Sequence, residues 1–309
     1  MPLTSSPTAA PVRRNRFYTW LPEAIDRRIK VFAWLSFFTE LAIIGTGGAV
    51  RLTGSGLGCP TWPTCTPDSL IPTAEMGIHG VIEFGNRTMT GVLSIVAVIM
   101  LVLLWRIRAE RRDLFSLAIV LLGGILAQAI VGGVTVWTGL NPVIVGFHYV
   151  VSLGLVCVAA ALVYRVYSPA GRRERIVPRW YAIVSHVSTL LLAVTIAFGV
   201  LTTGAGPHSG DAAAGRNGFN AELLQHIHAW PAYALFALTI VLIIGAWRMP
   251  RLRSWTIGLL VVELVQVAVG IYQARNGLPE LAVGVHMVLA ALLAAVMTVV
   301  LLAQKRPVA

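Results

Sequence analysis

The residues with the most chemistry to offer are the histidines, and they are sorted by depth. His79, His148, His208, His226, His228 and His286 fall toward one end of the apolar runs, and His186 falls at the other. His148, His228 and His286 each lie about a turn inside the head of a run long enough to cross a bilayer. Ionisable groups are costly there and by default mark function. A neutral imidazole on each of two facing helices can ligate a haem iron from both sides, with the macrocycle filling the apolar space between them. Zinc would call for four ligands at short spacing, usually including carboxylate or thiolate, and none are grouped here. A single intramembrane histidine is equally well read as a helix-to-helix hydrogen bond. A set at one depth favours a cofactor.

Other polar residues keep two readings. Asn86 takes the corresponding place in the second run, within Glu83-Phe84-Gly85-Asn86-Arg87. Glu83 and Arg87, four apart on a helix, either pair with each other or serve a haem. In the second case Arg87 meets a propionate and Glu83 moves a proton. Gln128 and Gln266 read as interhelical hydrogen-bonding residues, and Cys157 as a small buried apolar one. His79, His208 and His226 read as solvated at the wet boundary. Glu40 and Glu263 sit mid-run with no evident partner, a proton route being the one use they suggest.

The elements that must position these groups are membrane spans. Of 309 residues, 57% are hydrophobic and 12% charged, against roughly a quarter charged in a soluble domain. Spans are expected at 31–50, 84–105, 114–137, 143–164, 180–203, 223–247, 254–274 and 281–303, joined by short links except 51–82 and 204–222. The first 30 residues lack an apolar core and read as a cytoplasmic tail rather than a signal or presequence. Of 24 Lys and Arg, all but Arg51, Arg87, Arg216 and Arg275 fall in that tail, the alternate loops and the end of the chain. By the positive-inside rule both termini are cytoplasmic, in a multi-pass protein of a cell membrane. The net charge of +11 is therefore a topology signal, not a nucleic-acid footprint. Cys59 and Cys65 share an external loop, where a disulfide can persist and is expected.

The halves repeat. Gln128-Ala-Ile-Val-Gly through His148 and Val150 aligns with Gln266-Val-Ala-Val-Gly through His286 and Val288 at a constant offset of 138, with nine identities in 23 positions. Gln128/Gln266, Gly132/Gly270, Gly139/Gly277 and His148/His286 are among them. A weaker match pairs Thr53, Gly54 and Gly56 with Thr203, Gly204 and Gly206. The expected fold is all-α and integral to the membrane. Its eight transmembrane helices form two tandem four-helix bundles related by a pseudo-two-fold axis along the membrane normal. The units are a tail (1–30), an N-terminal bundle (31–166), a basic linker (167–179), a C-terminal bundle (180–303) and a tail (304–309).

Together these residues resemble the haem A synthases, over roughly residues 30 to 303. The resemblance lies in the duplicated eight-helix plan, the cysteines of GLGCPTWPTC, the EFGNR segment and the histidines heading the fourth, sixth and eighth spans. It implies a bacterial enzyme that oxidises the C8 methyl of haem O to a formyl group by successive hydroxylations. Haem b would be the cofactor in the C-terminal half, with His228 and His286 as axial ligands. Haem O would occupy the N-terminal half, with His148 as ligand, Asn86 and Arg87 lining the pocket and Glu83 as the catalytic carboxylate. Cys59 and Cys65 match the family's external pair, for which a redox-active dithiol stands beside a structural disulfide. The partners implied are membrane lipid, an electron donor and a haem O synthase, with an oligomer compatible. One departure is clear: the family commonly reads Glu-x-x-His-Arg where this chain has Asn86, and a carboxamide is a poor haem ligand, so that either His148 is the single protein ligand of a five-coordinate iron or another group such as His79 moves in.

Two other classes compete. A b-type cytochrome that only relays electrons would call for equivalent bis-histidine sites in both halves, which Asn86 opposes. A transporter would place its polar groups at the midplane and break helices at matched sites; here they cluster toward one leaflet.

Overall fold

In lipid an apolar run of twenty or more residues can satisfy its backbone N–H and C=O groups internally only as a helix. The computed structural model describes residues 20–308, and the eight expected spans are eight helices. They are α1 (Arg27–Leu52), α2 (Gly77–Leu104), α3 (Arg112–Trp137), α4 (Pro142–Val166), α5 (Arg179–Ala205), α6 (Ala221–Gly245), α7 (Pro250–Arg275) and α8 (Glu280–Ala303). All eight are long and apolar enough to cross a membrane, so the chain is a multi-pass membrane protein. The part of the expected tail before residue 20 lies outside the described residues.

Local chemistry sets the helix ends. Asp26, Asn141 and Asn220 cap α1, α4 and α6 by accepting the N–H groups of Ile29, Val143 and Leu223. Pro142 and Pro250 open α4 and α7, where a missing N–H is harmless. The helices α3 and α7 stop at Gly139-Leu140 and Gly277-Leu278, whose φ angles are all positive, between 59° and 73°. Leu140 N–H donates to Thr135 O and Leu278 N–H to Gln273 O, the long back-bond that satisfies a last-turn carbonyl. One helix begins well before its expected start. A 3-10 turn (Ala74–Met76) and Gly77 at φ 55° launch α2 seven residues ahead of position 84. The polar residues His79 and Glu83 broke the apolar pattern there, yet both lie on the helix.

Helices α1, α2, α3 and α4 form a closed ring of neighbours, as do α5, α6, α7 and α8, and α8 packs against both α4 and α1 across the two rings. The α1–α8 approach runs over Gly45 and Gly48, which face Val288 and Met287. Tyr149 on α4 donates its hydroxyl to the carbonyl of Met287 on α8 at 3.0 Å.

The two ends of the bundle differ. At the linker end Trp34 bonds Tyr167, Arg111 bonds the Arg165 carbonyl and Arg106 pairs with Glu23. There, residues Arg173–Arg175 and Lys305–Pro307 pair as strands β1 and β2 of a small antiparallel ribbon, Glu174 opposite Arg306. This ribbon is an addition outside the all-α membrane fold, and three charged residues carry no alternating apolar signal that would announce it. The dry core sits toward this end, where Ile29, Leu103, Leu162, Tyr181, Leu242 and Met297 are fully buried. The head end is stitched by polar loops: Gly56 N–H donates to Gly210 O, and His208 bonds the Leu278 carbonyl.

Candidate functional site

His228 on α6 and His286 on α8 face each other near the head end, with ring centroids 6.3 Å apart and planes inclined by 71°. Two imidazoles that bond one ion from opposite sides, each at about 2 Å, hold their ring centres roughly 6 Å apart. The Nδ1 of His228 lies 2.8 Å from the Thr195 carbonyl on α5. That carbonyl can only accept, so it fixes the proton on Nδ1 and leaves the Nε2 lone pair for a metal. The Nδ1 atoms of His286 and His148 are buried without a hydrogen-bond partner. In His228 and His286 alike Nδ1 lies nearer the neighbouring helix than Nε2 does, at 3.1 and 3.6 Å from a Cβ built on Gly199 and Gly270 against 3.7 and 4.0 Å, and two facing imidazoles so turned fit a metalloporphyrin.

Each of the three rings lies against a glycine on the neighbouring helix. A Cβ built on Gly199 (α5) would stand 2.8 Å from Cε1 of His228, and one on Gly270 (α7) 3.1 Å from Cε1 of His286. On Gly132 (α3) it would stand 3.5 Å from Cε1 of His148. Glutamines one turn earlier tie the same helices together. Gln266 Nε2 donates to the His286 carbonyl at 3.1 Å, and Gln128 Nε2 to the His148 carbonyl at 2.6 Å and to Ser152 Oγ at 2.5 Å. The interhelical role read for both glutamines holds. Pro231 lies within α6 three residues after His228 and removes the helical bond that the Ile227 carbonyl would accept.

In the first half a single face of α2 carries His79, Glu83, Asn86 and Arg87, and every one of them is engaged. His79 Nδ1 lies 2.9 Å from Ser55 Oγ, and Glu83 Oε2 accepts the Cys59 N–H at 2.6 Å. Thr46 on α1 donates to Asn86 Oδ1 at 2.7 Å. Arg87 spends all five of its N–H groups, on Glu83 and on the carbonyls of Cys59, Thr61 and Thr64. Of the two readings for Glu83 and Arg87, the pairing is present, and it also clamps the first external loop to α2. Arg87 could receive a propionate only by releasing that loop. The loop is closed by a Cys59–Cys65 disulfide with both residues fully buried. Its Trp62 stands on Gly133 and edge-on to Trp137, covering α3 beside His148.

Several lesser expectations change. His208 is half-buried and bonded to Leu278, not solvated, because the loop that carries it folds back over α8. His79 is exposed but bonded, and His226 is exposed. Glu263 has a partner, the Thr239 hydroxyl at 2.7 Å, whereas Glu40 keeps one buried oxygen without any. Cys157 is half-buried against the core. Thr195, Thr46 and Gly199 were not singled out from sequence, since a threonine or glycine in an apolar helix is common. Gly132 and Gly270 did carry a signal, being identities of the repeat.

A sequence model of the COX15-CtaA family, described as cytochrome oxidase assembly protein, matches residues 30–298. The chain belongs to this family. Several relatives are named heme A synthase. That of Lysinibacillus sphaericus (strain C3-41) is 36% identical over 129 residues, 41% of either chain. That of Listeria welshimeri is 30% identical over 133 residues, 43% of either chain. That of Bacillus cereus (strain AH187) is 32% identical over 124 residues, 39% of either chain. Each match thus spans about two-fifths of the relative's length. The family match covers far more, running from α1 into α8, and so takes in every candidate site residue described above.

Proposed function

We propose that this protein is a haem A synthase, oxidising the C8 methyl of haem O to a formyl group by successive hydroxylations within the membrane. The observation that carries the reading is the facing pair His228 and His286 in a family member whose relatives bear that name. Haem b is the resident cofactor, held by these two imidazoles in the α5–α8 half. When bound there it supplies one-electron transfer. Thr195 sets the tautomer of His228, while Gly199 and Gly270 give the two rings their room.

The α1–α4 half takes haem O. His148 is its protein ligand, since Thr46 already engages Asn86 and a carboxamide binds iron poorly. A substrate haem must enter and leave, and one strong axial bond slows exit less than two. Asn86 lines this pocket, and Arg87 holds the loop that roofs it. Glu83 handles the proton: Oε2 can take one up by giving up the Cys59 N–H, which links proton uptake to the fit of the loop. The buried bridge supports a structural disulfide over a redox-active dithiol, because a reductant must first reach a sulfur.

The halves are read as two four-helix units. Tyr149 meets Met287, its own counterpart 138 positions on, and residues that meet their counterparts lie near a two-fold axis. Both termini are assigned to the cytoplasm from the basic residues of the linker end.

The test is chemical. The protein is produced in membranes that contain haem O, and the haems are extracted and separated. Newly formed haem A is expected; haem O left unchanged beside an intact low-spin haem b spectrum would replace the enzyme with an electron relay.

A further inference from the structure

We infer that Arg51 and Arg216 form a carboxylate clamp at the head of the α5–α8 half, taking the propionates of the porphyrin that His228 and His286 hold. The inference rests on the haem b reading above and assigns a binding site to residues outside it.

The head end carries only four of the 24 basic residues, so each one there calls for a reason. Arg87 is spent on the disulfide loop. Arg275 ends α7, where a cation suits the helix dipole. Arg51 and Arg216 remain, and they lie together. Half-buried Arg51 leaves the end of α1 and crosses to the other half. Its Nε donates to the His208 carbonyl at 2.8 Å and its Nη2 to the Thr203 carbonyl at 3.1 Å, which leaves Nη1 without an acceptor among the described residues. Arg216 donates to the carbonyls of Ala214 and Pro207. Backbone carbonyls aim both guanidiniums, and among the described residues neither has a carboxylate partner. Their anchors are consecutive in the chain, Arg216 on the Pro207 carbonyl and Arg51 on the His208 carbonyl, which brings the two guanidiniums to one place. Two cations held side by side, Arg51 half-buried and Arg216 exposed, repel unless an anion lies between them. A guanidinium with unspent N–H groups presents the fork that a carboxylate fits.

The placement suits the edge of a porphyrin. Thr203 stands four residues beyond Gly199 on α5, about 6 Å toward the head end, and Gly199 backs the His228 ring. The other anchor, His208, is bonded to Leu278 just ahead of α8, which carries His286. Arg51 therefore overhangs the end of α5, which backs the His228 ring, and the turn that leads into α8, which carries His286. In the opposite direction the same half is closed by fully buried Leu242, Leu259 and Met297, surroundings in which a carboxylate would be costly. Propionates of a porphyrin held there would meet cations toward the head end, where the two arginines lie, and none among those buried leucine and methionine side chains. Since Arg51 belongs to α1, the first half would help retain the haem of the second.

The experiment follows haem capture by excess apomyoglobin from detergent-purified holoprotein, read in the low-spin haem band. Wild type, Arg51→Gln and Arg216→Gln are each compared when loaded with haem b and with haem b dimethyl ester. Both variants should keep the low-spin spectrum yet lose haem b faster, on the order of tenfold. The ester should leave wild type about as fast as haem b leaves the variants, and Arg216→Gln should not hasten ester loss. Equal loss of ester and free acid from wild type, or wild-type retention in both variants, overturns the clamp. Arg216 is exposed, so its variant carries the test even where Arg51→Gln fails to fold. A wild type without any low-spin haem would instead remove the bis-histidine reading, and the starting spectrum reports that separately.

Discussion

Replacing Gly199 by alanine puts a methyl group 2.8 Å from Cε1 and 3.1 Å from Nδ1 of His228. Carbon atoms rest at about 3.5 Å or more, so the ring must retreat by about 0.7 Å or the helices must part. Retreat strains the Nδ1–Thr195 hydrogen bond, worth about 1 kcal/mol, and overpacking of this kind costs about 1–3 kcal/mol. A combined loss of about 2–4 kcal/mol corresponds to haem b held roughly 30- to 700-fold less tightly. Gly270→Ala leaves a smaller shortfall, at 3.1 Å from His286; about 1 kcal/mol, or roughly fivefold, is expected. Gly132→Ala meets His148 at 3.5 Å, an ordinary contact, and should leave haem b untouched. Alanine is also the better helix former, by up to about 1 kcal/mol. The assay is haem b retention at 25 °C in detergent, followed in the low-spin band, with thermal unfolding of each variant in parallel. The order Gly199, Gly270, Gly132 is the result at stake. Full retention in Gly199→Ala, or loss of low-spin haem in Gly132→Ala, would refute the reasoning that these glycines make room for iron-ligating rings.

The ligand assignments predict that His286→Ala loses most low-spin absorbance while remaining inserted, whereas His148→Ala keeps that absorbance and forms no haem A; visible spectra and haem extraction read both. Maleimide labelling of folded, unreduced protein should leave Cys59 and Cys65 unmodified, with labelling only after unfolding and reduction. Replacing both cysteines by serine should cost about 2 kcal/mol for a loop this short, seen as earlier thermal unfolding and faster proteolysis between residues 53 and 76. Gln128→Leu removes two hydrogen bonds between α3 and α4 and should cost on the order of 1 kcal/mol, typical of pairs within a membrane, measured by unfolding in mixed detergent.

The spans were legible because lipid permits a single secondary structure, and the apolar runs therefore map onto helices to within a few residues. The start of α2 was not, since His79 and Glu83 interrupt hydropathy where they meet a loop rather than lipid. The loop itself is the larger lesson. Glu83 and Arg87 four residues apart suggested a pair from spacing alone, but spacing could not reveal that the pair faces Cys59, Thr61 and Thr64, since those contacts depend on how the loop folds back. Spacing likewise could not reveal Thr195 or Arg51, whose partners lie 33 and 157 residues away. The repeat carried further, because a duplicated Gln, Gly and His at fixed separations is one packing device written twice.

That device is used with different tightness in the two halves, and the difference bears on which haem stays. In the second half the rings are confined: Thr195 pins His228, Gly199 and Gly270 admit the two imidazoles with no room for a methyl group, and the rings oppose each other at 6.3 Å. In the first half the backbone at His148 is held firmly by Gln128, yet the ring rests on Gly132 at ordinary contact. Position 86, where an opposing ligand would stand, is instead tied to Thr46. A resident cofactor gains from two fixed ligands, because every degree of freedom lost before binding is not lost again on binding. A substrate that must leave after oxidation gains from one ligand with slack. The asymmetry between halves that are alike in sequence therefore runs in the direction required for a bound haem b in the α5–α8 half and an exchangeable haem in the α1–α4 half.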